Sequence, residues 1–139
     1  MRPIAASLLA LVISNPIYPD QQRQPRPLDP LQGEWSLLET ADQHRSDRAS
    51  AEIRMRITGE RVTMMFGEVT TNQGTIVLGA SNVLKTIDFK LANGRAVLGI
   101  YRIEREVLTI CADDAANGRP VTFAPQGKQW VEKWKLSRR

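Results

Sequence analysis

Leu31-Gln32-Gly33-Glu34-Trp35 stands where a proline-rich lead-in gives way to alternating strands. A Gly-x-Trp at that place suits the opening of a small antiparallel β-barrel. The glycine lets the backbone pass close to the barrel floor, while the indole plugs that end and offers its N–H to a nearby carbonyl. The competing reading makes Trp35 one large core residue among others. Under both, Trp35 is structural.

After Trp35 the sequence alternates with period two, the mark of half-buried strands. Trp35 and Leu37 share a face of a strand over 33–40. The stretch 41–51 is polar and reads as a loop or short helix at the barrel mouth. Ile53, Met55 and Ile57 alternate with Arg54 and Arg56, and Thr58-Gly59-Glu60-Arg61 turns into Val62, Met64 and Phe66. Asn72-Gln73-Gly74 predicts a turn into a strand over 75–79, and Ser81-Asn82 predicts another. Ile87, Phe89 and Leu91 precede Ala92-Asn93-Gly94, a strong hairpin signal. Strands over 97–103 and 107–112 flank a Glu104-Arg105 turn. A polar connection over 113–129 then leads to a closing strand, with Trp130, Glu132, Trp134 and Leu136 on one face.

The fold class is therefore all-β. Eight strands joined mainly by short turns pair with their neighbours, and such a meander removes its own edges by closing into an eight-stranded antiparallel up-and-down barrel. A two-sheet sandwich of the same strands stays open as an alternative.

The 139 residues, 42% apolar and 24% charged, suffice for one domain, placed at 31–139. The net charge of +4 is spread over every segment beside acidic neighbours, which argues for a solvated face and against a nucleic-acid partner. Lys133, Lys135, Arg138 and Arg139 form a charged last strand and tail that discourages edge pairing. Cys111 and His44 are the single residues of their types. No internal disulfide follows, and most metal and nucleophile chemistries are removed.

Residues 1–14 carry one positive charge and an apolar run over 4–13. As a helix the run spans about 15 Å, half the hydrocarbon thickness of a bilayer. It reads as a signal peptide cleaved after Ser14, which places the protein outside the cytoplasm, periplasmic or extracellular, with no stable membrane anchor. A miscalled start or an N-terminal helix is the other reading. Residues 15–30 hold five of the eight prolines and read as a semi-rigid linker.

Six stretches in order resemble a bacterial domain family of unknown function that is expanded in planctomycetes: Leu31-Gln32-Gly33-x-Trp35, Gly59-Glu60-x-Val62-Thr63, Lys85-Thr86-Ile87-Asp88, Leu98-Gly99-Ile100-Tyr101, Leu108-Thr109-Ile110-Cys111 and Arg119-Pro120-Val121-Thr122-Phe123. The resemblance covers 31–139 and implies a lipocalin-like domain behind an export signal. It brings no catalytic or ligand residue. Glu104-Arg105-Glu106 departs from the Asp-Gly type of turn usual in the family. In lipocalins a basic residue near the end of the last strand lies across the indole, and Arg138 or Lys135 would take that place.

Glu132 is the one polar side chain that alternation puts among aromatics. Inside the barrel it would be desolvated and able to orient a ligand or act as an acid. The bland reading has the strand end twist and return it to solvent. Tyr101 could offer a hydroxyl beside it. Asp113-Asp114 with Asn117 and Gly118 lacks the spacing of a calcium loop and reads as a turn. Met55, Met64 and Met65 read as core filler. No phosphate loop, nucleophile elbow or zinc-protease motif is present, so neither metal nor cofactor is expected.

The expectation is a monomeric binding module rather than an enzyme. A small apolar ligand would lie between the interior faces carrying Trp35, Met55, Phe66, Phe89, Tyr101, Trp130 and Glu132. The alternative is a barrel filled by its own side chains that acts through loops 41–51 and 113–129 on another exported protein. A small barrel enzyme built on Glu132 is the weakest reading.

Overall fold

A period-two pattern becomes a wall only if the strands pair in register, and here they do. The computed structural model describes residues 28–49 and 52–138. The expected signal peptide, nearly all of the linker and the Arg138 side chain lie outside the described residues. The strands are β1 (Gly33–Asp42), β2 (Ser46–Arg48), β3 (Ile53–Thr58), β4 (Arg61–Phe66), β5 (Val69–Ala80), β6 (Lys85–Leu91), β7 (Ala96–Glu104), β8 (Val107–Asp114) and β9 (Trp130–Arg138). Apart from β2, each pairs antiparallel with its neighbours around the ring, and β9 returns to β1 with Leu37 opposite Trp134 and Trp35 opposite Leu136. That last ladder closes the barrel and decides against the open sandwich.

The three-residue β2 lies outside the ring. It continues the β1 edge beyond β3, pairing Glu39 to Ala41 with Ser46 to Arg48. The stretch 41–51, read from sequence as loop or short helix, thus carries a strand among its described residues. The Asp42 side chain holds the turn, accepting the backbone N–H groups of His44 and Arg45 at 2.8 and 3.0 Å. These bonds favour the ionised carboxyl and lower its pKa.

One turn falls elsewhere than expected. Asn72, Gln73 and Gly74 lie within β5, and the chain reverses instead at Gly67-Glu68, with Gly67 at φ +60°. Gly74 serves close approach rather than reversal: a Cβ there would stand 2.1 Å from the carbonyl oxygen of Lys90 on β6. The Arg105-Glu106 turn is made without glycine, both residues taking positive φ.

The floor end is sealed by a 3-10 turn, Asp29–Leu31, from residues assigned in part to the linker. Leu31 and Trp35 are wholly buried, and the Trp35 indole N–H donates to the Leu31 carbonyl at 2.9 Å. Gln32 pins the plug to the β3–β4 turn, donating to the Gly59 carbonyl at 3.0 Å and accepting its N–H at 2.7 Å. Above them Ile57, Val62, Ile76, Ile87, Leu108 and Trp134 complete a filled lower half.

A second, smaller core lies on the outer wall, where Ile100, Cys111 and Val131 are covered by Leu84 and Phe123. The connection between β8 and β9 is fixed over that wall: Arg119 pairs with Asp88 and donates to the Gly99 carbonyl, and Arg102 lies over the Phe123 ring. Lys135 is opposite Ser36 on the outer face, so it does not cap Trp35.

Candidate functional site

The mouth end is not filled. Alternation puts Met55 and Met64 from the facing strands β3 and β4 on one side of the interior, Phe89 and Leu91 of β6 and Val97 of β7 on another, and Ile110, Ala112, Trp130 and Glu132 of β8 and β9 on a third. With Thr71, Asn72 and Arg95 they line a cavity of about 250 Å³. Its volume exceeds the roughly 150 Å³ that accepts benzene in an apolar cavity and falls short of the roughly 300 Å³ where drug-sized sites begin.

Small residues leave the space. Gly99 faces Ala112 across β7 and β8, and Ala112 faces Trp130 across β8 and β9. The same inward layer that holds Trp134 and Leu108 near the floor thus holds glycine and alanine toward the mouth.

Glu132 is inside. The strand does not twist it out to solvent: its two carboxylate oxygens each accept an indole N–H, from Trp130 and from Trp134, both at 3.2 Å. The three side chains project from one face of β9, with the carboxylate between the rings. Desolvation raises the Glu132 pKa from its ordinary 4.5; the two indole donors and the positive charge of Arg95 oppose that shift. No cation among the described residues is within ion-pair distance of Glu132, because Arg95 instead pairs with Asp114 at 2.8 Å. From there the Arg95 guanidinium stands 5.4 Å from the centre of the Trp130 ring.

Of the seven residues expected at the site, Met55, Phe89, Trp130 and Glu132 meet at the cavity. Trp35 is the floor seal, a hydrogen-bonded structural residue. Tyr101 is buried in the core between floor and cavity, where burial raises its phenol pKa, and it does not reach the cavity wall. Phe66 is half-exposed at the end of β4 beside Val69, because β4 runs out at the rim there. Met64, expected as filler, is part of the wall.

Sequence reading missed Arg95, Thr71 and Asn72. Arg95 follows the Asn93-Gly94 turn directly, and a charged residue on the first step of a strand leaving the mouth was the available signal. Thr71 and Asn72 were hidden by the turn expected at Gly74.

The chain matches no family model, and no curated protein or solved structure is significantly similar to it. The remaining candidates are structural. Asp113 accepts from the Asp114 backbone N–H at 2.7 Å and from the Asn117 amide at 2.9 Å, the bonding of a turn. Cys111 faces the outer core, where burial and the Asp113 charge push its thiol to about 11. His44 is exposed in the β1–β2 turn, its ring 3.1 Å from the Gln43 amide nitrogen. Gln43 also accepts the Gly127 N–H at 3.0 Å, so the two long loops meet beside the mouth. A wider hollow crosses the floor next to the plug, but its charged residues Asp29, Glu60 and Arg61 are all exposed.

Proposed function

We propose that this chain is an exported, lipocalin-like binding protein that holds one small, mostly apolar ligand in the mouth of its barrel. The observation that carries the reading is the 250 Å³ cavity above a fully packed floor, with a largely apolar lining and a few polar groups converging on it. A monomer suffices for such a site, and the apolar run at the N-terminus supports export. The reading does not require catalysis: Glu132 has two donors but no second titratable side chain within hydrogen-bond reach among the described residues.

A filling substitution tests the reading. Ala112→Phe puts a ring into the space opposite Gly99 and Trp130. Titration of the wild-type protein with toluene or indole, followed by calorimetry and by ligand-observed NMR, is expected to give saturable binding that Ala112→Phe abolishes while leaving the circular dichroism unchanged. Binding that survives the filling, or no binding of any apolar probe to the wild type, would remove the carrier reading. The half-exposed Phe66 and Val69 on the rim favour a second reading, contact with another protein through the mouth. It predicts that paired Phe66→Ser and Val69→Ser changes, and not the filling, abolish function.

A further inference from the structure

Resting on the carrier reading, we infer that the ligand is a small primary amine on an apolar body, with its ammonium group bound to Glu132. A carboxylate has about four lone-pair directions, and here two are taken by indole N–H groups. Glu132 is part of the cavity lining, which leaves the other directions to whatever fills it. No cation of the described chain neutralises this carboxylate directly: Arg95, the one basic side chain on the wall, is committed to Asp114. Arg95, its partner Asp114 and Glu132 together carry a formal charge of −1, with Glu132 outside the ion pair.

Three ligand classes can be ranked on this geometry. An anion would meet Glu132 with no free donor, since both indole N–H groups are already used. A neutral hydroxyl could donate one hydrogen bond, charge-assisted from the acceptor side only. An ammonium group supplies up to three charged donors to this partly buried carboxylate, and the Trp130 ring beside it already accepts a cation, Arg95, at 5.4 Å. Indoles are donors only, so they hold the carboxylate in its accepting state and orient it without competing for the ligand's protons. The apolar side chains of Met55, Met64, Phe89 and Val97 then take the hydrocarbon part, and the volume allows about one ring with a short chain.

Phenethylamine, 2-phenylethanol and phenylacetate share a body and differ in the charge of the head. Calorimetry of the full chain at neutral pH, checked by tryptophan fluorescence, is expected to place the amine at least about tenfold tighter than the alcohol, since the amine adds a second charge and further donors where the alcohol gives one. Phenylacetate should be weakest. Glu132→Gln should bring amine and alcohol within about twofold, with the amine losing more affinity than the alcohol. Equal binding of amine and alcohol to the wild type, or tightest binding of phenylacetate, overturns the amine assignment and leaves the carrier reading standing. Failure of all three, together with failure of toluene, overturns both. The wild-type comparison decides the matter even if the Glu132→Gln protein does not fold.

Discussion

Trp35→Phe separates a tryptophan that is only bulky from one that ties the plug to the barrel. The phenyl ring keeps most of the apolar contact but has no donor for the Leu31 carbonyl, which lies on a residue with no exposed surface. A buried acceptor that loses its donor costs about 1–3 kcal/mol. The missing part of the indole withdraws roughly two methylene equivalents of burial, at about 0.8 kcal/mol each. Together these give about 2.5–4.5 kcal/mol, a large share of the roughly 5–15 kcal/mol by which such domains are stable. The melting temperature should fall by about 10–15 °C for a domain of this size. Urea denaturation measures the free energy. Hydrogen exchange locates it, because the Leu31 and Gln32 amides, bonded at 3.0 and 3.2 Å to the Leu28 and Asp29 carbonyls, should lose protection first. The folded variant should bind cavity ligands as the wild type does, since Trp35 is at the other end. A loss under about 0.5 kcal/mol, or unchanged protection of the plug amides, would refute the argument that the indole N–H holds the floor.

Gly74→Ala should destabilise by about 3 kcal/mol in urea titrations, because its Cβ would meet the Lys90 carbonyl and the backbone of β5 or β6 must move; a neutral effect would show that this ladder yields freely. Arg105→Asn combined with Glu106→Gly should stabilise by about 1 kcal/mol, since both positions already have positive φ; calorimetric melting of the double variant checks it. The raised pKa of Glu132 fixes the sign of a pH effect. Between 4.5 and the folded value, the folded wild type binds more protons than the unfolded chain, so its stability falls as pH rises through that window and then levels. Gln does not titrate, so the advantage of Glu132→Gln over wild type should grow with pH across the window, and a difference that is flat or shrinks in paired urea titrations would refute the buried placement.

How far the sequence could be read follows from which interactions are local. Alternation fixes the face of each side chain, so Ile53, Met55 and Ile57 could be placed inside and Arg54 and Arg56 outside. The arginines do lie outside, both reaching Glu34, whose carboxylate they cover at 3.3 and 3.0 Å. Reversals were legible where the turn residues themselves demand positive φ, as at Gly59 and Gly94. They were not legible where glycine does another job. Gly74 is in a strand because another backbone passes near it, and nothing in the neighbouring residues announces that passage. The plug was hidden for a similar reason. Asp29-Pro30 looks like more linker, and what makes it part of a plug is the distant tie beside it, Gln32 bonded to Gly59 across the β3–β4 turn.

The cavity shows the same limit from the other direction. Each strand can be scored for inward residues, but a void depends on which inward residues share a level, and that is a property of register across strands. Gly99, Ala112 and Trp130 are far apart in sequence and become one row only through the β7–β8 and β8–β9 ladders. Bulk counted along the chain suggested a filled barrel; bulk sorted by level puts Trp35, Trp134 and Leu108 low and leaves the mouth open. Glu132 then gains its meaning from position. In a filled interior a carboxylate would be an expensive defect, relieved by any apolar residue of similar size. Beside a cavity, between two indoles that donate and cannot accept, it is a partnered acceptor on the wall of an open space. The chain thus departs from the ordinary rule for barrel interiors at the one level where it has also left room, and such departures are where binding sites are to be expected.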